Sequence, residues 1–372
     1  MSNVASLAFG HAPWGTELLQ NRVWTSPWAP IKMIDSILRG IGQVCFANNP
    51  LSGLLILIGI FIDDPNAGFG ALLCSFVAII TALALGQPDG AITAGLISYS
   101  AVLVGTVTAA LYPIFFNQPI EPVIWVYMAV ASVFCVIVGL GLGAIFSQHK
   151  LPVFTLPFNI TTAILFLGLQ ARGFRIATEV VNVPQVVGNS TEYKVDWEMM
   201  LRGCLLSAGQ VYAVEGVACS LLTLIGLLFC SPIITISGFL GAVIANCTAL
   251  TLSSGPYDAI YAGVWGYNGF LATSCILFFM VPTARTTPLA MANAAFASSL
   301  QAAILPVFKQ NDLPIFTYPF CMASVLMLVL TTSSIPGEHR VASPTIPEIH
   351  LREFVKQNNE EVNEKEGVPV LV

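Results

Sequence analysis

The feature that most constrains this chain is the absence of Lys and Arg between Arg39 and Lys150. That stretch consists of apolar runs such as LSGLLILIGIFI at 51–62, divided by short polar breaks. Charged residues make up only 9% of the chain, against about 25% in soluble domains, and the mean hydropathy is +0.80. Such runs predict an all-α membrane protein, because a membrane β-barrel would alternate apolar and polar residues in segments of about ten.

Ten apolar segments are long enough to be predicted as transmembrane helices. They lie at 41–62, 68–86, 98–117, 122–147, 154–172, 203–229, 232–252, 266–282, 288–309 and 316–332. Two Gly-rich segments, 88–97 and 255–265, are too short to cross a bilayer alone. Before the first span, Ile31, Ile34 and Leu38 share one helical face, which predicts an amphipathic helix at the membrane interface.

A repeat relates the two halves of the chain. LPVFTLPF at 151–158 and LPIFTYPF at 313–320 share six of eight letters, and GQV occurs at both 42–44 and 209–211. The chain is therefore interpreted as two copies of a unit of five spans. An odd number of spans per unit requires the second copy to be inverted in the membrane, and inverted repeats place a shared pore near the bilayer midplane.

These elements predict five regions. They are an N-terminal cytosolic or interfacial segment (1–40), a first membrane repeat (41–172), an extracellular linker loop (173–200), a second membrane repeat (201–333) and a cytosolic C-terminal tail (334–372).

Charge sets the expected orientation of the chain. Arg22, Lys32 and Arg39 precede the first span and favour a cytosolic N-terminus. Ten spans bring the C-terminus back to the same side, so the loop at 173–200 faces outside. Asn189 begins the triplet NST in this loop, which predicts N-glycosylation. We expect a multi-pass protein of the plasma membrane.

Each copy of the eight-letter phrase places one threonine between two prolines. Pro152 and Pro157 remove backbone donors and disfavour helix in the residues before them. Non-helical backbone at membrane depth is tolerated where it is buried in protein or lines a water-filled cavity. Thr155 and Thr317 are therefore candidate pore residues. The alternative is that each hydroxyl bonds a carbonyl of its own helix.

Further polar candidates lie near the start of each unit. Gln43 and Gln210 carry amides that can donate and accept hydrogen bonds, although glutamine also joins helices in membranes. Glu215 is an acidic residue in the second unit and is either structural or part of the site. The candidate pore-lining groups are hydroxyls, amides, backbone carbonyls and aromatic rings. Such groups favour a small neutral polar solute. The cysteines and histidines suggest no metal or other cofactor.

The paired proline phrases, the two GQV triplets and GVWGYNGFLA at 263–272 resemble the urea transporter family over about residues 30–335. The resemblance implies ten transmembrane helices and two re-entrant segments, arranged as two inverted five-helix repeats around a central pore. It implies a homotrimer in which each protomer conducts urea passively. Thr155 and Thr317 would form the central site, Gln43 and Gln210 the flanking sites. The apolar slot would be formed by Val44, Val211, Phe46, Leu103 and Leu271.

Two departures from symmetry accompany the resemblance. Tyr267–Asn268 in the second unit corresponds to Tyr99–Ser100 in the first, and Phe46 corresponds to Ala213. Urea and membrane lipids are the expected partners, with no nucleic acid. The alternatives are a channel for another small neutral solute (water, ammonia or urea analogues) and an ion-coupled symporter. An enzyme is not expected, since the chain lacks the GxSxG and His-Glu metal motifs.

Overall fold

The computed structural model of the protein describes residues 10–12, 19, 22–173, 193–333 and 340–366, and within these ranges its regular elements are helices. The helices of the first half are α1 Ala29–Gln43, α2 Pro50–Asp63, α3 Pro65–Ala84, α4 Asp89–Thr93, α5 Tyr99–Phe116, α6 Pro122–Ser147 and α7 Leu156–Ala171. Those that follow are α8 Trp197–Gln210, α9 Val217–Cys230, α10 Pro232–Leu252, α11 Asp258–Tyr261, α12 Tyr267–Phe279, α13 Thr286–Gln310, α14 Tyr318–Ser333 and α15 Pro347–Glu366.

Length and composition divide the apolar helices into two groups. Among the described residues, five helices are long and apolar enough to cross a membrane: α3, α5, α6, α10 and α13. Five shorter apolar helices of 10–17 residues accompany them: α2, α7, α9, α12 and α14. This pattern is that of a multi-pass membrane protein.

The predicted spans at 41–62 and 203–229 are not continuous helices. In the first, α1 ends at Gln43 and α2 begins at Pro50; in the second, α8 ends at Gln210 and α9 begins at Val217. Apolar content continues across both breaks, so hydropathy alone does not reveal them. A division of the chain at residue 40 therefore falls inside α1.

The breaks have local causes. Phe46 and Ala213 occupy corresponding positions and both have positive φ, +63° and +59°, which ends the helical hydrogen-bond pattern. Asn49 then starts α2 by accepting the N–H groups of Leu51 and Ser52, as N-cap residues do. The sequence signal for the first break is therefore the Asn-Pro pair at 49–50.

Helix α1 is amphipathic, but its polar face points into the protein. Ile31 and Ile34 are 51% and 58% exposed, whereas Lys32 and Arg39 are 0% and 1% exposed. The Lys32 ammonium lies 2.7 Å from a carboxylate oxygen of Asp89 at the start of α4. In lipid an apolar face can be the outer one, because the surrounding solvent is itself apolar. Periodicity therefore identified two faces correctly without identifying the one that packs inward.

Glycines allow the central helices to approach closely. A Cβ added to Gly105 in α5 would lie 2.0 Å from the carbonyl oxygen of Gly70 in α3, so backbone meets backbone at this crossing. The two halves of the chain are also joined directly. The Ser52 hydroxyl donates to the Gly226 carbonyl at 2.6 Å, and the Tyr212 hydroxyl donates to the Ile41 carbonyl at 2.8 Å.

Candidate functional site

The two threonines of the repeated phrase are in direct contact in the protein interior. Thr155 immediately precedes α7 and Thr317 immediately precedes α14. Their hydroxyl oxygens are 2.6 Å apart, and each residue is 2% exposed. The hydrogen-bond partners of the two hydroxyls lie in the opposite half of the chain. Both hydroxyls therefore form hydrogen bonds across the two halves of the chain, and their role in a central site stays a prediction.

The residues before the threonines form two matching turns. Phe154 and Phe316 have φ values of +49° and +51°, so neither belongs to the helix that follows. The Tyr99 hydroxyl donates to the Phe154 carbonyl, and the Tyr267 hydroxyl donates to the Phe316 carbonyl. The sequence analysis matched these two tyrosines as repeat positions without assigning their function. Their contacts show that they fix the carbonyls beside the threonine pair.

Asn159 determines the direction of the hydrogen bonds at the pair. Its amide oxygen accepts the Thr317 N–H at 3.1 Å and the Thr317 hydroxyl at 2.8 Å. Because that oxygen can only accept, the Thr317 hydroxyl proton points to Asn159. The Thr155 hydroxyl must then donate to Thr317. The Thr155 oxygen keeps its lone pairs for other donors, among them the Cys321 thiol at 3.2 Å.

The centre is therefore not a symmetric pair. Asn159 lies four residues after Thr155, and Cys321 lies four residues after Thr317. Thr317 is held by an amide from the other half, whereas Thr155 has only a thiol in the equivalent place. Sequence reasoning missed both residues as parts of the site. Their matched positions, one helical turn after each threonine, are the signal that would have identified them.

The two glutamines occupy equivalent positions on either side. Gln43 Nε2 donates to the Ala94 carbonyl at 3.1 Å, and Gln210 Nε2 donates to the Ala262 carbonyl at 3.0 Å. Each acceptor follows one of the short helices, α4 or α11. With the NH₂ group engaged, the amide oxygen of each side chain is available to accept a hydrogen bond from a solute.

Two cavities flank the threonine pair. The first, of about 680 Å³, is lined by Gln43, Val44, Phe46 and Thr155 among others. The second is smaller, about 250 Å³, and it is the one that Thr317 lines. One threonine of the hydroxyl pair therefore lines each cavity.

The second cavity also contains the other repeat-matched residues. Gln210 and Val211 line it, together with Ala213 at the position equivalent to Phe46. Leu103 and Leu271 are fully buried and are not among the described residues lining either cavity. Their contribution to a slot stays a prediction.

Aromatic rings dominate the wall of the first cavity. The Phe46 ring centroid lies 5.2 Å from that of Phe278 and 6.4 Å from that of Phe320. Phe154 in turn contacts Phe320 at 5.1 Å. Such a wall offers flat apolar surface and no charge. Ala213 supplies less bulk in the second cavity, so the two approaches to the threonine pair differ in shape.

Residues of both terminal segments line the first cavity, namely His11, Pro344 and Thr345. Arg39 Nη1 donates to the His11 carbonyl at 2.9 Å, and His350 Nε2 accepts the Thr345 N–H at 3.0 Å. Burial is the main cause that lowers the pKa of His350 from its ordinary value. A neutral His350 can accept this bond, whereas protonation of Nε2 would remove it.

The other candidates from the sequence have separate outcomes. Glu215 is exposed in the break between α8 and α9. Asn189 lies outside the described residues. Within the described ranges, no group of three or more His, Cys, Asp and Glu side chains could hold a metal ion. The polar groups around the threonine pair are hydroxyls, an amide, a thiol and backbone carbonyls.

Comparison with known proteins places these observations in a family. Residues 34–332 match the family described as "Urea transporter". The chain is similar to "Urea transporter 1" of Ovis aries, with 34% identity over 332 residues, covering 86% of this chain and 82% of that protein. It is likewise similar to "Urea transporter 1" of Rattus norvegicus, with 33% identity over 323 residues, covering 84% of this chain and 80% of that protein.

Proposed function

This chain belongs to the urea transporter family, and we propose that urea crosses the membrane through the two cavities and between Thr155 and Thr317. The protein is a multi-pass membrane transporter for facilitated urea transport and is not an enzyme. Transport of another neutral solute and ion-coupled symport are not favoured by this membership. The observation that supports the route is the hydroxyl contact of 2.6 Å between two flanking cavities.

Urea is planar, with one carbonyl acceptor and four N–H donors. Removing water from one amide-like group without replacement costs roughly 2–7 kcal/mol. The Gln43 and Gln210 amide oxygens and the carbonyls of Phe154 and Phe316 would accept urea N–H groups in turn. To pass, urea must separate the two threonine hydroxyls and bond them itself. Replacing each lost bond keeps the barrier low, and several weak sites allow release.

Apolar walls account for selection by shape. Val44 and Phe46 on one side and Val211 on the other would contact the flat faces of urea. Leu103 and Leu271 are fully buried, and in our proposal they join the slot when the threonines move apart. A hydrated ion would find no compensating charge in such a slot.

Matched contacts support the proposed repeat architecture. The hydroxyl bonds of Tyr99 and Tyr267 and the amide bonds of the two glutamines recur in corresponding places. We propose ten transmembrane helices with 88–97 and 255–265 as re-entrant segments, in two inverted five-helix repeats at 41–172 and 201–333. Each protomer of a homotrimer would contain its own central pore.

The proposed topology follows from charge and from the packing of the termini. The described residues 10–12 and 340–350 approach the same end of the first cavity, where His11 and Thr345 both line the mouth. We propose that the segments 1–40 and 334–372 are cytosolic in the plasma membrane. The loop 173–200 is then extracellular, with Asn189 glycosylated.

Replacing each threonine by valine tests the route, because valine keeps the shape and removes the hydroxyl. A neutral hydrogen bond contributes about 0.5–1.5 kcal/mol, so Thr155→Val and Thr317→Val should each slow urea flux by several-fold to about tenfold. Thr155→Ser and Thr317→Ser are the matched controls and should retain most of the flux. The measurement is urea efflux per protomer from proteoliposomes. Wild-type flux in both valine variants would refute the route between the threonines.

A further inference from the structure

A network of two amides supports the threonine turn in the second half of the chain. Asn268 Nδ2 donates to Gln301 Oε1 at 2.9 Å, and its Oδ1 accepts the N–H of Phe320 at 3.3 Å. Gln301 Nε2 donates in turn to the Val264 carbonyl at 3.0 Å. Asn268 is fully buried and Gln301 nearly so, and these bonds connect α12, α13 and the start of α14.

The first half has smaller residues in the same places. Ser100 corresponds to Asn268, because each follows one of the matched tyrosines, Tyr99 and Tyr267. Gly139 corresponds to Gln301 in the register of the repeated phrase, in which Thr155 matches Thr317. The backbone groups that the two amides bind in the second half, the Phe320 N–H and the Val264 carbonyl, have counterparts in the first half. Phe158 and Leu96 are the counterparts of Phe320 and Val264. The first half therefore retains the groups that need partners while lacking the amides that supply them.

Ser100 and Phe158 are buried without replacement partners for these two groups, whereas Leu96 is 53% exposed. Ser100 Oγ has no hydrogen-bond partner among the described residues and is shielded from solvent. Phe158 is the third residue of α7 and is 1% exposed. Its N–H cannot be paired within the helix, because first-turn N–H groups have no partner there. A buried backbone donor left unpaired is rare in proteins.

A cavity lies beside Ser100 and Gly139, the positions that correspond to the two amides. It has a volume of about 80 Å³ and is lined by Leu96, Ser100, Cys135, Gly139 and Pro157 among others. It also shares Tyr99 and Val153 with the lining of the first large cavity. A space of about 10–15 Å³, measured in the same way, accommodates one water molecule, and a buried water typically makes about three hydrogen bonds.

We propose that this cavity is a binding site for ordered water, which replaces the Asn268–Gln301 amides in the first half. One water would bond Ser100 Oγ and accept the Phe158 N–H, in the place of the Asn268 amide. A second would donate to the Leu96 carbonyl, in the place of the Gln301 amide. Polar groups at both positions distinguish the site from an apolar void, which stays dry.

In this proposal, hydrogen bonds from bound water, and not from amide side chains, would stabilise the turn beside Thr155. Water exchanges its partners more easily than two packed amides do, so the first turn has an adjustable support and the second a fixed one. Tyr99 lines both this cavity and the first large one, and the proposed waters do not depend on which solute the protein transports.

The decisive experiment is a high-resolution structure of the full-length wild-type protein in lipid nanodiscs. We expect density for water within hydrogen-bonding distance of Ser100 Oγ and of the Phe158 nitrogen. The double variant Ser100→Asn/Gly139→Gln should replace that density with side-chain amides bonded as in the second half. An empty cavity in the wild type, or density for a lipid or another organic solute there, would overturn the proposal.

Stability measurements provide a second readout that does not depend on map resolution. Ser100→Ala should lower the unfolding temperature and remove the water density, because one of its anchoring partners is lost. The double variant should unfold at or above the wild-type temperature. Ser100→Ala with unchanged water density and unchanged unfolding temperature would contradict the assignment. Urea flux tests the transport route separately, so failure of one proposal is distinguishable from failure of the other.

Discussion

Replacing Asn159 with leucine should remove the hydrogen bonds that hold Thr317 while leaving both threonines in place. The amide oxygen of Asn159 accepts both the N–H and the hydroxyl of Thr317, at 3.1 and 2.8 Å. Leucine has a similar size and shape and offers no acceptor. The hydroxyl of Thr317 can rotate towards Thr155, 2.6 Å away, but its N–H is fixed by the backbone and loses its partner.

The expected loss of stability follows from one unpaired donor, the Thr317 N–H. A buried hydrogen-bonding group left unsatisfied costs about 1–3 kcal/mol, so Asn159→Leu should lower the free energy of unfolding by about that amount. Cys321→Val is the matched control at the equivalent position. Its thiol contacts Thr155 at 3.2 Å and the Asn159 amide at 3.6 Å, and a thiol is a weak donor and acceptor. We therefore expect a clearly smaller loss for the control.

Unfolding of the purified protein in detergent, followed by tryptophan fluorescence, measures both effects. A double-mutant cycle of Asn159→Leu with Thr317→Val isolates the hydroxyl bond, because the valine variant retains the N–H bond to Asn159. The coupling energy should be about 0.5–1.5 kcal/mol. Equal losses for Asn159→Leu and Cys321→Val, together with no coupling in the cycle, would refute the hydrogen-bond direction assigned at the centre.

Three further predictions concern the flanking sites and the outer surface. Gln43→Leu and Gln210→Leu should each reduce urea flux several-fold in folded protein, since an acceptor is lost; loss of folding with normal flux in the surviving protein would favour a helix-joining role. Burial lowers the pKa of His350, so docking of the C-terminal segment should be fully present above about pH 6.5 and weaken below it. Limited proteolysis near the C-terminus should be faster at about pH 5.5 than at about pH 7.5, and His350→Gln should reduce this difference. Asn189→Gln should abolish a glycosidase-sensitive gel shift; a shift that persists would place the glycan elsewhere.

The sequence predicted the centre of the site better than its surroundings. The doubled phrase identified Thr155 and Thr317, and the structure brings them into contact. The GQV triplets identified Gln43 and Gln210, which the structure places in equivalent hydrogen bonds. Proline and an isolated polar residue are informative against an apolar background, so these positions could be singled out from the sequence; their roles in a pore stay predictions.

Other features could not be obtained from hydropathy. The break after Gln43 lies in an apolar run, and its cause is a positive φ at Phe46 that residue type does not require. The inward face of α1 could not be identified from periodicity, because Lys32 and Arg39 are buried through partners distant in sequence. Asn159 was overlooked because its contact with Thr317 spans 158 residues. Long-range pairing of this kind depends on the fold.

The unequal support of the two threonines also bears on how transport is measured. Asn159 supports Thr317, whereas Cys321 contacts Thr155, so the two ends of the threonine pair differ chemically. A solute that follows the proposed route would therefore meet these groups in opposite order from the two faces of the membrane. Detailed balance forbids such a structure from biasing net flow of a solute that is coupled to no other gradient. The inequality can instead appear as different half-saturation concentrations for influx and efflux, with the ratios of maximal rate to half-saturation concentration remaining equal in the two directions.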